Sequence, residues 1–318
     1  MNQRAERVFC ACLIFFSVFI RIMLSLQMPV QKAAALLPLR VVHISTVRQA
    51  GPGSVPRTEG ASDKPAALCF DAAEADAITV GGACSYGFDK QALLLQKSAM
   101  DFSQAGPKVL IVHTHSSEAY TPEAGWEYEA SDELRTQDRQ YSVIRIGTRL
   151  AEILEENGIE TLHDTALNDY PSYSGSYDRM AATIAGYLAK YPSIRMVVDV
   201  HRDAASDAAG NPVSLTQQIG GETCAKLMLV VGTDEGGLTH PDWQENLANA
   251  LKVQALVNRT APGLMRDVDL RTERFNQNLT PGSMLVEFGS TGNTLQQALR
   301  SAEYFGKALA ALIASCEA

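Results

Sequence analysis

The sequence has few cysteines and no excess of basic residues, and both features narrow the class of protein. Six cysteines in 318 residues are too few for a disulfide scaffold, and their spacing forms no CxxC or zinc-ribbon pattern. The formal net charge is −9, whereas proteins that bind nucleic acid usually carry a basic face, so we expect no nucleic-acid partner. Hydrophobic residues make up 46% of the chain and charged residues 20%, as in an ordinary globular protein.

Several motifs are also missing. No GxSxG nucleophile elbow is present, which argues against a serine hydrolase although Ser116 and Ser117 follow a histidine. The residues before Cys10 lack the small side chains of a bacterial lipobox, and no internal repeat is visible. Cys69 and Cys84 either pair in an oxidising compartment or remain two free thiols.

One long apolar run is present, at the N-terminus. The stretch VFCACLIFFSVFIRIMLSLQMPV follows Arg4 and Arg7 and is interrupted by Arg21. A spanning helix needs roughly 20 apolar residues, and basic residues before it stay in the cytoplasm. We predict that residues 1–30 form an uncleaved signal anchor, with a cleaved signal peptide as the alternative. The protein is then a single-pass protein of the cell membrane with its main domain outside the cytoplasm.

The rest of the chain divides into two parts. Residues 31–106 are predicted to form a flexible stalk, because QAGPGSVPRTEGASDKP is rich in Gly, Pro, Ser and charge. In residues 107–318, apolar stretches such as KVLIVH, IRMVVDVH and SMLVEFGS alternate with amphipathic stretches such as YSVIRIGTRLAEILEENG. This alternation predicts an α/β domain with a mostly parallel sheet flanked by helices.

Side chains that favour zinc follow three of the predicted strands. VLIV leads to His113 and His115, MVVDV leads to His201, and MLV leads to Glu287. The carboxyl ends of parallel strands share one rim of a sheet, which is where ligands bind in open α/β folds. His115 and Glu118 have the spacing His-x-x-Glu, and His201 completes a set of two histidines and one glutamate, which suits catalytic zinc. We therefore predict a zinc site there.

Further polar residues surround these candidates. His113 and Asp199 are predicted to support the metal ligands, since Asp199 lies two residues before His201 on the same strand face. The predicted substrate-binding residues are Arg202, Arg274, Asn276 and Asn278. Each candidate also has a purely structural interpretation: a histidine at a strand end is more often a hydrogen-bonded structural residue, and Glu118 also suits a turn cap.

Three long motifs resemble the stage II sporulation protein P family. The stretches VLIVHTHSSEAY, YPSIRMVVDVHRDA and FNQNLTPGSMLVEFGSTGNT carry the resemblance, together with the predicted anchor. The resemblance covers roughly residues 108–312. It implies a catalytic domain with the fold of zinc-dependent N-acetylmuramoyl-L-alanine amidases. It also implies peptidoglycan hydrolysis, with amidase and cross-link endopeptidase activity, during engulfment of the forespore.

The resemblance carries over to partners and residues. It implies action at the outer face of the mother-cell membrane, with stage II sporulation proteins D and M as partners. His115, His201 and Glu287 occupy contexts that match two zinc histidines and the catalytic glutamate. The amidases' zinc glutamate usually begins the first helix, where this chain reads DRQYSV without a glutamate. The His-x-x-Glu spacing favours Glu118 as the carboxylate ligand, and another carboxylate remains the alternative.

These residues predict a mechanism, and two other functions are alternatives to it. Zinc polarises the scissile carbonyl and lowers the pKa of water, and Glu287 takes the proton of that water and passes it to the leaving amine. One rival is a membrane-tethered peptidoglycan-binding module that has lost catalysis. The other is a zinc carboxypeptidase that acts on stem peptides.

Overall fold

The computed structural model describes residues 41–42 and 68–317. Within these ranges the strands are β1 (Val41–Val42), β2 (Val80–Gly82), β3 (Val109–Val112), β4 (Thr161–Asp164), β5 (Met196–Asp203), β6 (Thr216–Ile219), β7 (Glu222–Ala225), β8 (Leu227–Gly232), β9 (Val268–Arg271) and β10 (Gly282–Ser290). The helices are α1 (Ala72–Asp76), α2 (Lys90–Leu95), α3 (Val143–Glu156), α4 (Ser176–Lys190), α5 (Trp243–Thr260) and α6 (Leu295–Cys316). A 3-10 turn covers Gln277–Leu279.

Eight of these strands form one sheet in the order β1-β4-β3-β5-β10-β8-β9-β2. The neighbours β4, β3, β5 and β10 run parallel to one another. β8 is antiparallel to β10, and β9 and β2 follow the direction of β8. β6 and β7 form a separate antiparallel hairpin. The predicted α/β fold with a mostly parallel sheet and flanking helices is therefore confirmed.

Strand β3 shows why the sheet is buried on both faces. Its four consecutive apolar residues have no exposed surface, and alternate side chains along a strand point to opposite faces. Val109 and Ile111 join the large apolar cluster that includes residues of α3, α5 and α6. Leu110 and Val112 join a smaller cluster with residues of α4. A continuous apolar run is what a strand covered by helices on both faces requires.

The predicted stalk reaches too far toward the C-terminus. Residues from Leu68 onward belong to the folded unit: α1 and α2 contribute Ala75, Leu93 and Leu94 to the main core, and β2 pairs with β9 at one edge of the sheet. The sequence pattern does not reveal this folded segment, because each of its elements is short, lies between polar stretches and buries only one or two side chains. The boundary at 106–107 therefore falls inside the folded part of the chain.

The predicted anchor, residues 1–30, lies outside the described residues. None of the helices in ranges 41–42 and 68–317 is long and apolar enough to cross a membrane. In the same ranges, Cys84, Cys224 and Cys316 are free thiols, so Cys84 does not pair with Cys69.

Two neighbouring leucines of α2 test whether this region belongs to the folded domain. Leu94 is fully buried, whereas Leu95 is 47% exposed. We expect Leu94→Ala to lower the free energy of unfolding by about 2–5 kcal/mol, because it removes buried methyl groups and leaves a cavity. Leu95→Ala should change it by less than about 0.5 kcal/mol. Urea denaturation of both variants provides the measurement, and equal small effects would mean that residues 68–106 do not pack on the domain.

Candidate active site

Three neighbouring strands bring the predicted catalytic and metal-binding residues together. β3, β5 and β10 run parallel and adjacent, so their carboxyl ends form one rim of the sheet. Glu287 on β10 lies in register beside His201 on β5. His115 and Glu118 lie in the buried turn that directly follows β3. The strand-end pattern in the sequence therefore corresponds to a real cluster.

His201 lies between two carboxylates inside the protein. Its Nε2 atom is 3.0 Å from Asp199 Oδ1, and its Nδ1 atom is 3.5 Å from Glu118 Oε2. Each of the three residues is at most 5% exposed. Burial by itself lowers the pKa of His201, but the charge of Asp199 and the contacts with both carboxylates raise it well above its usual range. The imidazolium therefore offsets part of the two buried negative charges.

The backbone and neighbouring cations hold Glu118 in its ionised form. Its Oε2 atom accepts a hydrogen bond of 3.1 Å from the backbone N–H of Arg202, and its Oε1 atom lies 3.7 Å from Arg135 Nη2. Burial raises the pKa of Glu118, but the contact with His201 and the positive charges of His201 and Arg202 outweigh it, so the pKa lies well below its usual range.

Arg202 faces inward, away from the predicted contact with substrate. Its Nε atom donates to the Ala119 carbonyl at 2.9 Å and its Nη2 atom donates to the Leu134 carbonyl at 3.0 Å. The residue is 5% exposed. A guanidinium engaged in this way positions the loop that carries Glu118, and it is not available to bind substrate.

His115 is covered by a tyrosine that the sequence reasoning did not identify. The ring of Tyr173 stacks on the imidazole with centroids 4.3 Å apart and planes 7° apart, and the Tyr173 hydroxyl lies 3.1 Å from His115 Nε2. The His115 ring is also edge-on to that of His201 at 5.3 Å. Burial lowers the pKa of His115, which keeps the imidazole neutral, the form in which histidine binds metals.

His113 points to the opposite face of the sheet from His115. Its Nε2 atom lies 2.8 Å from Nε2 of the buried His163, and its Nδ1 atom lies 3.2 Å from the Val200 carbonyl. Because a carbonyl only accepts, Nδ1 must carry the proton, and His163 then donates to His113. Burial lowers the pKa of His113 to about 4, so the pair is neutral. His113 therefore holds the backbone next to His201 and does not face the metal candidates.

Helix α3 passes directly over this histidine pair. A Cβ atom on Gly147 would lie 2.5 Å from His113 Nε2 and 2.6 Å from His163 Nε2. Only glycine allows the helix to come so close. The helix therefore keeps water away from the pair, which ties β3, β4 and β5 together beneath the site.

Asp199 is fixed by the turn that leads to His115. Its carboxylate accepts hydrogen bonds from the Thr114 backbone N–H at 2.8 Å and from the Thr114 hydroxyl at 2.5 Å. The negative charge of Asp199 therefore lies next to His201 in a fixed orientation. The predicted role of Asp199 in orienting a metal ligand stays a prediction.

Glu287 differs from the other carboxylates because it lacks a partner. Among residues 68–317, nothing forms a hydrogen bond with its buried Oε2 atom. Burial, together with the negative charges of Glu118 and Asp203, raises the pKa of Glu287 to about 8. A partly exposed carboxyl group with one buried oxygen atom and a raised pKa, next to a cluster of histidines, is a typical signature of an acid–base catalyst.

The predicted substrate-binding loop borders the site through Tyr177. Asn276 Nδ2 donates to the Tyr177 carbonyl at 2.8 Å, and the Phe275 ring lies 5.8 Å from that of Tyr177. Tyr177 in turn meets His115 edge-on at 5.5 Å. Arg274 donates to the Thr239 carbonyl at 3.2 Å. The loop is held by its own contacts as a wall of the site.

Two further features of this wall bear on its chemistry. Phe275 and Asn276 both adopt positive φ, at 49° and 59°, a conformation that costs energy for residues other than glycine. The Oδ1 atom of Asn278 is buried without a hydrogen-bond partner among the described residues. Strain and an unsatisfied polar atom are both more common at functional sites than elsewhere, which agrees with the predicted role of this loop.

A buried ion pair that was not predicted forms the other wall. Asp169 accepts hydrogen bonds from the hydroxyl groups of Ser116 and Ser117 at 2.7 and 2.6 Å, and from Arg135 Nη1 at 3.0 Å. The Arg135 guanidinium also lies 4.9 Å from the centre of the Tyr173 ring. Asp169 and Tyr173 lie in the loop after IETLH, so the rule that sites form at strand ends, applied to β4, identifies this loop as part of the rim.

A family comparison now adds to this geometry. The model of the stage II sporulation protein P family matches residues 61–310. The chain belongs to this family. The stage II sporulation protein P of Bacillus subtilis (strain 168) is 27% identical over 205 residues, which cover 61% of this chain and 48% of that protein. The chain thus spans about half the length of the curated relative that it matches.

Solved amidases share part of the fold of this stage II sporulation protein P family member. The amidase AmiC2 of Nostoc punctiforme is 17% identical with a TM-score of 0.36, and covers 66% of this chain and 97% of its own. The amidase Ami1 of Mycobacterium abscessus is 14% identical with a TM-score of 0.39, and covers 68% of this chain and 100% of its own. At TM-scores below 0.5, this likeness identifies no site residue.

The cluster offers zinc ligands, but their present arrangement does not form a metal site. Within residues 41–42 and 68–317, no three His, Cys, Asp or Glu side chains are placed so that they could hold a metal ion. Tyr173 covers His115 Nε2, whereas His201 Nε2 is buried and makes no aligned hydrogen bond. Two imidazoles and one carboxylate are nevertheless the donors that zinc takes in catalytic sites. These donor groups therefore fit zinc, the metal predicted for this protein.

The raised pKa of Glu287 predicts a pH-dependent effect on stability. The folded protein keeps the proton of Glu287 up to about pH 8, while the unfolded chain loses it near pH 4.5, so the free energy of unfolding falls as pH rises between these values. Because glutamine does not ionise, the Glu287→Gln variant should not lose this free energy of unfolding as pH rises. We expect the metal-free variant to be more stable than the metal-free wild type by about 2–5 kcal/mol at pH 9, and nearly equal to it at pH 4.

Urea denaturation at pH 4, 7 and 9, after removal of metal with a chelator, measures this difference. Glu160→Gln, at an exposed position just before β4, is the matched control and should follow the wild type at each pH. A stability difference between Glu287→Gln and the wild type that does not change with pH would contradict the raised pKa.

Proposed function

We propose that this protein is a zinc-dependent peptidoglycan hydrolase of sporulation that cleaves the N-acetylmuramoyl-L-alanine amide bond and also cuts peptide cross-links. Membership of the stage II sporulation protein P family supports the biological setting. The observation that carries the chemistry is Glu287, a partly exposed carboxyl group whose buried Oε2 atom has no hydrogen-bond partner among the described residues, in register with His201.

His115, Glu118 and His201 are the proposed zinc ligands. When bound, zinc supplies Lewis-acid chemistry: it polarises the scissile carbonyl and lowers the pKa of water. His201 must give up its proton to become a ligand, because metals bind the neutral imidazole. Asp199 then orients His201 by accepting the hydrogen bond of its other N–H group.

Glu287 is the proposed acid–base residue. It holds its proton in the metal-free protein, since its pKa is raised to about 8, and a cation nearby favours the ionised form. Its carboxylate then accepts the proton of the attacking water and passes it to the nitrogen of the leaving amine. The loop with Asn276 and Asn278 forms the neighbouring wall against which substrate binds.

The surroundings of the enzyme are also part of this proposal. We propose that residues 1–30 anchor the chain in the mother-cell membrane, that the α/β domain faces the forespore outside the cytoplasm, and that stage II sporulation proteins D and M are its partners. The basic residues before the apolar run and family membership support this arrangement.

The activity is tested with three variants of the full chain, purified without a histidine tag. Wild-type protein should contain about one zinc per chain and release muropeptides from purified sacculi. His115→Ala and His201→Ala should lose the zinc, because each removes a ligand. Glu287→Gln should keep the zinc and cleave at least about a hundredfold more slowly, since it keeps the shape of the side chain but cannot accept a proton.

The mass of the released products identifies the bond that is cut. A product with a free L-alanine amine indicates amidase cleavage, whereas a single released amino acid indicates a carboxypeptidase and contradicts the proposal. Loss of zinc from Glu287→Gln would make Glu287 a ligand. Full zinc content and activity in both histidine variants would remove His115 and His201 from the metal site.

The topology is tested with a reporter enzyme fused after Ala318. A reporter that works only outside the cytoplasm should be active, because the positive residues before the apolar run hold the N-terminus inside. Replacing Arg4 and Arg7 with glutamate should weaken this orientation. Activity only from a cytoplasmic reporter at the same position would contradict the proposed location.

A further inference from the structure

A cavity of about 650 Å³ opens on the rim of the sheet, on the far side of Glu287 from His115. It lies over β8, β9 and β2, next to β10 in the strand order. Because β8 and β9 run opposite to β10, they begin at the rim where β10 ends. Met228, which lines the cavity, is in register with Glu287. The cavity therefore borders the strand that carries Glu287.

Lys226 extends into this cavity from the face that carries Glu287. Its carbonyl accepts a hydrogen bond of 2.9 Å from Gly289 N–H, and it lies two residues before Met228, so both side chains point to the same face. Because Met228 is in register with Glu287, Lys226 lies diagonally across from Glu287 on the neighbouring strand.

The Lys226 ammonium group is an unpaired charge in a cavity whose one other lining cation, Arg266, is engaged by Asp203 at 2.6 Å. Of the other two lining aspartates, Asp269 lies 3.5 Å from Arg271 of β9 and Asp267 is exposed to solvent. Within residues 68–317, Lys226 makes no side-chain hydrogen bond or ion pair, and it is only partly exposed. A ligand that carries a carboxylate would supply the missing partner through a charge-assisted hydrogen bond.

A second cavity, of about 480 Å³, lies on the other side of the site and has different chemistry. Tyr170 and Tyr173 line it and are 53% and 56% exposed. The charge of Arg135 in this cavity is already taken by Asp169 at 3.0 Å. Exposed aromatic rings beside neutral polar groups suit the apolar faces of sugar rings better than a charged peptide.

We infer that Lys226 binds a carboxylate of the stem peptide, so that the peptide extends over β8 and β9 while the glycan lies against Tyr170 and Tyr173. This inference rests on the proposed hydrolase function, because it assumes that the bond between glycan and peptide is placed at Glu287. The two cavities lie on opposite sides of this residue, as the two halves of such a substrate require.

Two soluble substrates test the role of Lys226. One is a muramoyl dipeptide whose second residue has a free carboxylate, and the other has a carboxamide at that position. Wild-type protein should show a kcat/KM roughly tenfold higher for the carboxylate substrate, as expected for one charge-assisted hydrogen bond. Lys226→Met should abolish this preference, mainly by raising KM for the carboxylate substrate. Lys226→Glu should invert it through charge repulsion.

Lys307→Met, an exposed lysine on α6, is the matched control and should keep the wild-type preference. The ratio of the two substrates within each variant does not depend on the amount of folded protein. Failure of the wild type to cleave either substrate refutes the proposed function and the inference with it. Cleavage of both at equal rates, or an unchanged preference in Lys226→Met, refutes the inference alone.

Discussion

The site depends on one constraint: three carboxyl groups surround a single imidazolium, with Glu118 and Asp199 buried and Glu287 partly exposed. Buried charges are costly unless they are paired and hydrogen-bonded. His201 pairs with two of them, and Glu287 is left to hold a proton. The surrounding structure stabilises this arrangement, since Thr114 donates twice to Asp199 and the backbone of Arg202 donates to Glu118. A divalent cation would complete the charge balance.

Different environments give chemically similar side chains different roles. Glu118 is ionised because cations and a backbone N–H group face it, whereas Glu287 is protonated because burial dominates. The same holds for His113 and His115, two residues apart, which point to opposite faces of the sheet. His113 contacts the backbone of β5 beneath the site, and His115 faces the site itself. Environment rather than residue type therefore separates catalytic from supporting groups.

Much of the candidate site could be predicted from the sequence, because the pattern that identifies it lies within short stretches of the chain. Apolar runs ending in His115, His201 and Glu287 identify strand ends, and parallel strands bring their ends together. Tyr173, Asp169 and Arg135 were missed because each depends on how a loop folds back over the rim, which no periodicity encodes. The inward turn of Arg202 was missed for the same reason: its partners are carbonyl groups of Ala119 and Leu134. Short elements such as α1 and β2 lack enough apolar residues to show a pattern.

Both edges of the sheet are closed by the N-terminal part of the chain. β1 pairs with β4 at one edge, and β2 pairs with β9 at the other, so that Val80 lies beside Val268. Pairings between such distant segments slow folding, because a long loop must close before they form. During synthesis the sheet stays incomplete until residue 290 is available, because β10 joins β5 to β8. We therefore expect the chain to lack its complete sheet until nearly all of it has been made, so that the strands on either side of β10 cannot be joined before then.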